Sequence, residues 1–222
     1  MESLISKHLD EFEIYYNLLV EENEKYNLTS ITNKEEAFEK HFNDSIYMNK
    51  IIDLSAVETL CDIGSGAGFP SLPLKIVYPH LKITIIEPTL KRVNFMKMVV
   101  DKLDLSDVTI INGRAEDVIK EMRECFDVVT ARAVANLPVL LELTVPYAKV
   151  NKYVISYKGS NALEELDLAK KALETLYSSV ENIKEYELND SYGKRTLIKI
   201  KKNKETNRKY PRRFSEIKKK PL

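Results

Sequence analysis

Residues 58–70 read Glu58-Thr-Leu-Cys-Asp-Ile-Gly-Ser-Gly-Ala-Gly-Phe-Pro70, an apolar run that breaks into glycine at alternate positions, Gly64, Gly66 and Gly68. The run from Val57 to Ile63 predicts a buried strand. Glycine permits positive φ and lets a ligand approach the backbone closely. Pro70 falls where a helix is expected to begin, and a first helical turn has no use for the N–H that proline lacks. Strand, glycine turn and helix together make a cradle whose free amides face a ligand.

Spacing narrows the ligand. A dinucleotide fingerprint runs G-x-G-x-x-G, and a phosphate-binding P-loop ends in Gly-Lys-Ser/Thr. Here the pattern is G-x-G-x-G, preceded by Asp62. That carboxylate would repel a diphosphate but tolerates an ammonium. The pattern looks like motif I of S-adenosylmethionine (SAM) methyltransferases, whose cofactor carries a carboxylate, an ammonium and a sulfonium but no pyrophosphate. A glycine turn of purely structural use is the competing explanation. The next expected strand, Leu81 to Ile86, ends in Glu87. An acid about 20 residues beyond the first glycine can accept both hydroxyls of an adenosine ribose. That feature fits NAD as well as SAM.

With 222 residues the chain suits one large domain. We expect an N-terminal helical extension over 1–54, an α/β core over 55–202 and a basic tail over 203–222. The tail carries a charge asymmetry that the zero net charge hides. Residues 194–222 hold 13 Lys or Arg against Glu205 and Glu216, so the rest of the chain is acidic. A basic end on an acidic body points to a polyanionic partner, nucleic acid first. Tyr210 and Phe214, interleaved with Lys209, Arg212 and Arg213, are expected to stack on unpaired bases. Cys61 and Cys125 form no C-x-x-C pair and are expected as buried, reduced thiols. The start, Met-Glu-Ser-Leu-Ile-Ser-Lys-His, offers no signal-peptide pattern, and no apolar run is long enough to span a membrane. A cytoplasmic monomer is expected.

Ile5, Leu9, Phe12, Tyr16 and Leu19 recur at helical spacing and predict one apolar face over 3–25. Asn33 with Glu36 predicts a capping box for a second helix through Phe38 and Phe42. His41 and Asp44, three apart, can share one face of it. A lone histidine there is more often a packing residue than a catalyst. Past the glycine turn, strands and helices alternate, so a mostly parallel twisted sheet with helices on both faces is expected, a Rossmann-like fold. The helix from Leu90 should bury Val93, Met96, Val100 and Leu103 and leave Lys91, Arg92 and Lys97 in solvent. Strand Val108 to Ile111 leads to Ala115, Glu116 and Asp117, where an acid can accept from an adenine amine and the Ala115 N–H can donate to a ring nitrogen. Capping of the helix through Met122 competes for those acids. Strand Phe126 to Ala131 delivers Arg132, a rigid fork of donors able to hold a cofactor carboxylate, a backbone carbonyl or a substrate phosphate. Strand Lys152 to Ser156 leads into Lys158. A helix from Asn161 should bury Leu163, Leu166, Leu173 and Leu176, and residues 182–188 and 196–200 predict an antiparallel hairpin around Gly193.

Several separated strings together resemble the RsmG (GidB) family of bacterial 16S ribosomal RNA guanine-N7 methyltransferases. They are Asn27-Leu-Thr-Ser30, His41 with Asp44-Ser45, Asp62 through Pro70, Lys91-Arg-Val93 with Phe95, Arg132-Ala133 with Ala135, and Lys209-Tyr-Pro-Arg-Arg213 with the final Lys-Pro-Leu. The likeness spans nearly the whole chain. It implies SAM contacts from Gly64, Phe69, Ala115, Glu116 and Arg132, with Gly66, Gly68 and Glu87 added from the cradle and ribose arguments. It implies 16S rRNA or a small-subunit particle as substrate; no metal ligands and no catalytic residue are assigned, since guanine N7 has no proton to lose and alignment can supply much of the rate. Asn27, His41, Asp44 and Lys158 are candidates to grip guanine or a phosphate. The family usually carries Pro-Arg-Lys-x-Gly-x-Pro near its end, whereas Phe214-Ser-Glu-Ile217 stands here. Methylation of another RNA, a non-catalytic assembly factor and an NAD-linked oxidoreductase are the alternatives; glycine spacing disfavours the last.

Overall fold

The computed structural model describes residues 2–188 and 192–222. The strand before the glycine turn is β1 (Thr59–Ile63), and β2 (Lys82–Glu87), β3 (Val108–Asn112), β4 (Phe126–Arg132) and β5 (Ala148–Lys158) follow it in parallel. The hairpin β6 (Ser178–Glu187) and β7 (Lys194–Lys202) adds an antiparallel edge, giving the order β3-β2-β1-β4-β5-β7-β6. The hairpin is longer than its sequence pattern predicted. Of the turn expected around Gly193, residues 189–191 lie outside the described residues. Since β1 pairs with both β2 and β4, the strand order reverses there, and ligands bind such sheets at the carboxyl ends beside the reversal.

Both faces of the sheet are covered, which is why β1 and β4 are buried along almost their whole length rather than at alternate residues. One face carries α1 (Glu2–Lys7), α2 (Leu9–Tyr26), α3 (Lys34–Ala37), α4 (Asp44–Ile46), α5 (Ser71–Val77) and α6 (Leu90–Lys102). The other carries α7 (Ala115–Met122), α8 (Leu137–Thr144), α9 (Ala162–Leu168), α10 (Lys170–Thr175) and the C-terminal α11 (Phe214–Lys219). Pro70 sits at the N-cap of α5 rather than inside its first turn.

Some faces turn from where periodicity placed them. In α2 the buried apolar residues are Phe12, Tyr15 and Leu19, while Leu9 is exposed, so the inward stripe runs through Tyr15 instead of Tyr16. Helix α6 buries Phe95 and Val99 beside Val93 and Met96. The small residues Ala162, Ala169 and Ala172 pack inward with Leu176, and Leu163 stands in solvent. Cys61 is buried as expected, but Cys125 is exposed. Asn33 caps α3 by accepting the Glu36 N–H at 3.0 Å. Helix α3 runs into a π-helical turn, Phe38–Asn43, which carries His41 and leads into α4.

The basic segment after β7 lies on the body. The Arg212 guanidinium clasps the fully buried Glu142 of α8 at 2.8 and 2.6 Å, and the Arg212 backbone N–H donates to the same carboxylate at 2.9 Å. Arg123 donates to the Tyr210 carbonyl, and Tyr210 and Ile217 are buried. Tyr210 is therefore unavailable for stacking on bases. It spends its ring on the core.

Tyr15 joins the N-terminal helices to the glycine turn. Its hydroxyl donates to the Ala67 carbonyl at 2.5 Å, and its ring stacks on Phe69 at 5.4 Å. Gly68, at φ +96°, leaves the room that hydroxyl fills, since a Cβ there would collide with the Tyr15 oxygen and lie 2.6 Å from Leu72 Cδ1. Gly68→Ala should cost about 2–5 kcal/mol, combining overpacking with strain at positive φ. Urea denaturation measures this, and a loss under about 0.5 kcal/mol would contradict the packing.

Candidate functional site

The three glycines divide their work. Gly64, at φ +71°, leaves space for Val134, whose Cγ2 would lie 2.9 Å from a Cβ. Gly68 makes room for Tyr15. At Gly66, φ +62°, a Cβ would meet nothing within 4 Å. The turn is thus packed beneath its outer glycines and open above the middle one, as a ligand cradle requires.

Beside it lies a cavity of about 240 Å³ bordered by Gly64, Glu87, Ala115, Glu116, Val134 and Phe214. Glu87 ends β2 and is buried; its oxygens accept the Gly66 N–H at 3.0 Å and the Thr89 N–H at 2.9 Å. A carboxylate has about four acceptor positions, so two remain for hydroxyls. Arg92, expected in solvent, instead approaches Glu87 at 3.8 Å and borders the cavity. Ala115 and Glu116 open α7, where the first amides have no intrahelical acceptor. Aliphatic walls with acceptors at two edges and amides at another suit a purine nucleoside. The fit to adenosine is good.

Asp62, at the end of β1, is fully buried; Oδ2 accepts the Ser71 N–H at 3.3 Å, and Oδ1 has no hydrogen-bond partner. Burial is the largest influence on its carboxyl and pushes the pKa up to about 7, although Ser71 and Arg132 favour the anion. An orphaned carboxylate oxygen at the motif's acidic position fits the ammonium of an amino-acid moiety.

A larger cleft of about 570 Å³ opens on the far side of Ala133 and Val134, which border both spaces. Ala133 holds a positive φ of 56°. Arg132 enters this cleft from the end of β4. Its Nη1 donates to Asp44 Oδ2 at 2.8 Å and to the Lys40 carbonyl at 3.1 Å, and its guanidinium lies 5.2 Å from the centre of the Phe69 ring. Asp44 Oδ1 accepts from the Tyr186 hydroxyl at 2.6 Å. His41 stacks on Phe69 at 4.5 Å, with Nδ1 at 3.4 Å from Arg132 Nη2 and Nε2 at 3.0 Å from Thr29 Oγ1. Guanidinium only donates, so Nδ1 accepts and the proton sits on Nε2. Burial, then the Arg132 charge, lower the His41 pKa to about 3. His41 is a neutral spacer against Arg132.

Lys158 borders the cleft too, but its ammonium is 2.6 Å from the Ala135 carbonyl and 2.7 Å from Glu165. Asn27 does not reach the cleft. It takes the left-handed conformation that ends α2, which returns the chain so that the Asn23 side chain can accept the Thr29 N–H at 2.8 Å. The Phe69 ring is enclosed between Tyr15 and His41 and borders neither cavity. Sequence reasoning passed over Tyr15, Arg92 and Val134, and it placed Phe214 outside the cradle. Val134 had a faint signal, being two residues beyond Arg132 in the same loop. Among the described residues no group of His, Cys, Asp and Glu is arranged to hold a metal ion.

The strand order, the reversal beside the glycine turn and the nucleoside-shaped cavity define a SAM-dependent methyltransferase. Solved structures share the fold. The M. jannaschii TYW2 structure in complex with AdoMet superposes with a TM-score of 0.55 at 17% identity, covering 72% of this chain and 76% of that one. An rRNA methylase from Streptococcus thermophilus does so with a TM-score of 0.53 at 11% identity, covering 73% and 95%. A family model described as "GidB: rRNA small subunit methyltransferase G" matches residues 8–198. "Ribosomal RNA small subunit methyltransferase G" of Bacillus subtilis (strain 168) is 46% identical over 99% of this chain and 93% of its own length, and its counterpart in Bacillus thuringiensis (strain Al Hakam) is equally similar. The chain belongs to the rRNA small subunit methyltransferase G family.

Asp62 gives a pH test. A carboxyl whose pKa is raised from 3.8 to about 7 favours the fold fully below the unfolded value and loses that contribution as pH rises to 7. His41 acts oppositely, since its folded pKa lies below the unfolded one and stability is lost as pH falls below about 6.5. Comparing wild type with Asp62→Asn isolates the first effect. Between pH 5 and pH 8 the stability of the asparagine variant relative to wild type should rise by about 3 kcal/mol. Parallel pH profiles from chemical denaturation would refute it.

Proposed function

We propose that this chain methylates N7 of a guanine in bacterial 16S ribosomal RNA, as a cytoplasmic monomer forming one methyltransferase unit. Family membership supports the rRNA substrate, and no helix among the described residues is long and apolar enough to cross a membrane. One observation carries the mechanism. The cavity suited to adenosine and the larger cleft share the wall Ala133–Val134, so donor and acceptor meet across one short loop.

Gly64, Gly66, Glu87, Ala115 and Glu116 would hold the nucleoside of SAM, with Asp62 towards the ammonium of its methionine part; Gly68 shapes the turn by admitting Tyr15, and Arg132 stands in the neighbouring cleft. Phe69 acts from behind, keeping Arg132 and His41 in place. Bound there, SAM supplies an electrophilic methyl on a sulfonium. Guanine N7 has a free lone pair and no proton to lose, so the chain needs no general base; alignment carries much of the rate. This accords with His41, whose ring nitrogens are both engaged within the protein. Lys40, Arg132, Lys158 and Arg195 border the acceptor cleft against Asp44 and Glu165, to which Arg132 and Lys158 are paired, and the remaining excess of cations suits a phosphodiester. N7 lies in the deep groove of A-form RNA, so the target base is presented from a loop or flipped out.

Labelled SAM and RNA from a strain lacking this chain test the proposal. Label on a small-subunit guanine supports it; label confined to other RNA, or to another atom of the base, refutes it. Gly66→Asp places a carboxylate in the open space above the turn, and aspartate tolerates left-handed φ. The variant should fold with nearly wild-type stability yet show no SAM binding by calorimetry. Retained affinity would place the cofactor elsewhere. Lys218, Lys219 and Lys220 are exposed on the C-terminal segment. Changing all three to Gln should flatten the slope of log affinity for RNA against log salt by about 2, at roughly 0.7 per phosphate contact. An unchanged slope would remove this end from the RNA interface.

A further inference from the structure

Phe214 interrupts the tail pattern usual in the family, and its place in the fold gives it a task. It opens α11, and its ring forms part of the cavity that Glu87, Ala115 and Glu116 border. The Arg114 guanidinium lies 5.8 Å from the centre of that ring. The segment is anchored on both sides of Phe214, by the Arg212–Glu142 clasp before it and the fully buried Ile217 after it. A large planar ring is thereby held at the rim of a nucleoside-sized space beside two acceptors. It is fixed from the opposite end of the chain to the motif residues.

We infer that Phe214 is an adenine contact, and that the C-terminal segment completes the cofactor site as well as serving RNA. The proposal rests on the placement of the nucleoside in the 240 Å³ cavity. An aromatic face against a base contributes roughly 1–3 kcal/mol in other systems, which corresponds to about 5- to 150-fold in affinity. Beside its aliphatic walls, the cavity therefore gains an aromatic face only when residues 210–217 are seated on α8.

The sequence contains no tryptophan, so Phe214→Trp introduces a single indole at the proposed contact, excited selectively above the absorption of the tyrosines. Adenosine and S-adenosylhomocysteine should quench its emission, and methionine alone should leave it unchanged. By calorimetry, Phe214→Ala should bind S-adenosylhomocysteine at least about fivefold more weakly than wild type, with Phe214→Tyr close to wild type. Thermal unfolding without ligand checks that each variant is folded. Glu87→Ala separates this inference from the placement on which it rests. Weakened binding in Glu87→Ala with wild-type affinity in Phe214→Ala overturns the Phe214 contact alone. Wild-type affinity in both variants overturns the placement and the contact together.

Discussion

The ion pair between Arg132 and Asp44 ties together parts of the molecule that are distant in sequence. Arg132 ends a central strand, Asp44 belongs to the N-terminal helices, and the hydroxyl of Tyr186 reaches the same carboxylate from the antiparallel hairpin. The Tyr157 hydroxyl donates to the Ser45 carbonyl at 2.6 Å, adding a contact from β5. Both partners of the pair are largely removed from water, so either alone would leave an uncompensated charge, at a cost of about 3–5 kcal/mol. The neutral state of His41 belongs to this arrangement. A second cation stacked on Phe69 would oppose Arg132 where the fold needs it fixed.

The site follows from that constraint. With Arg132 held, the loop beyond it runs through Ala133 at positive φ and turns Val134 against Gly64. The same two residues border both the smaller cavity and the larger cleft, so the ion pair sets the position of the partition between them. The cradle on the other side is just as dependent on packing. Glu87 fixes the Gly66 amide, Gly68 admits Tyr15, and the space above Gly66 stays clear. Binding geometry here is a product of core packing rather than of a flexible loop.

The fold was legible because its strongest signals are local. An apolar run broken by alternate glycines, an acid at the end of the next strand and a strand–helix alternation each depend on neighbours in sequence. At Gly66 and Glu87 the sequence signal and the local geometry coincide: the space above Gly66 is open and its amide is held by the buried Glu87 carboxylate. The site was less legible where long-range contacts decide. Nothing near Lys158 announces that Glu165 and the Ala135 carbonyl will take its ammonium, and nothing near Tyr210 announces burial. Asn27 shows a different failure: it stands in a motif of the family, but its job is to end a helix and bring Thr29 to His41. Tyr15 and Tyr16 differ by a rotation of one residue, which periodicity resolves poorly when both are aromatic.

The embrace between Tyr15 and the glycine turn bears on how the chain is made. The amino-terminal helices leave the ribosome first, but their partner at Ala67 emerges 52 residues later than Tyr15. Phe42 can cover Phe12 and part of Tyr15 earlier, but until the glycine turn emerges Tyr15 lacks its Ala67 and Phe69 partners, and part of the apolar stripe stays open to chaperones. A chain of this rRNA methyltransferase family is thus held unfinished at the ribosomal exit during its own synthesis.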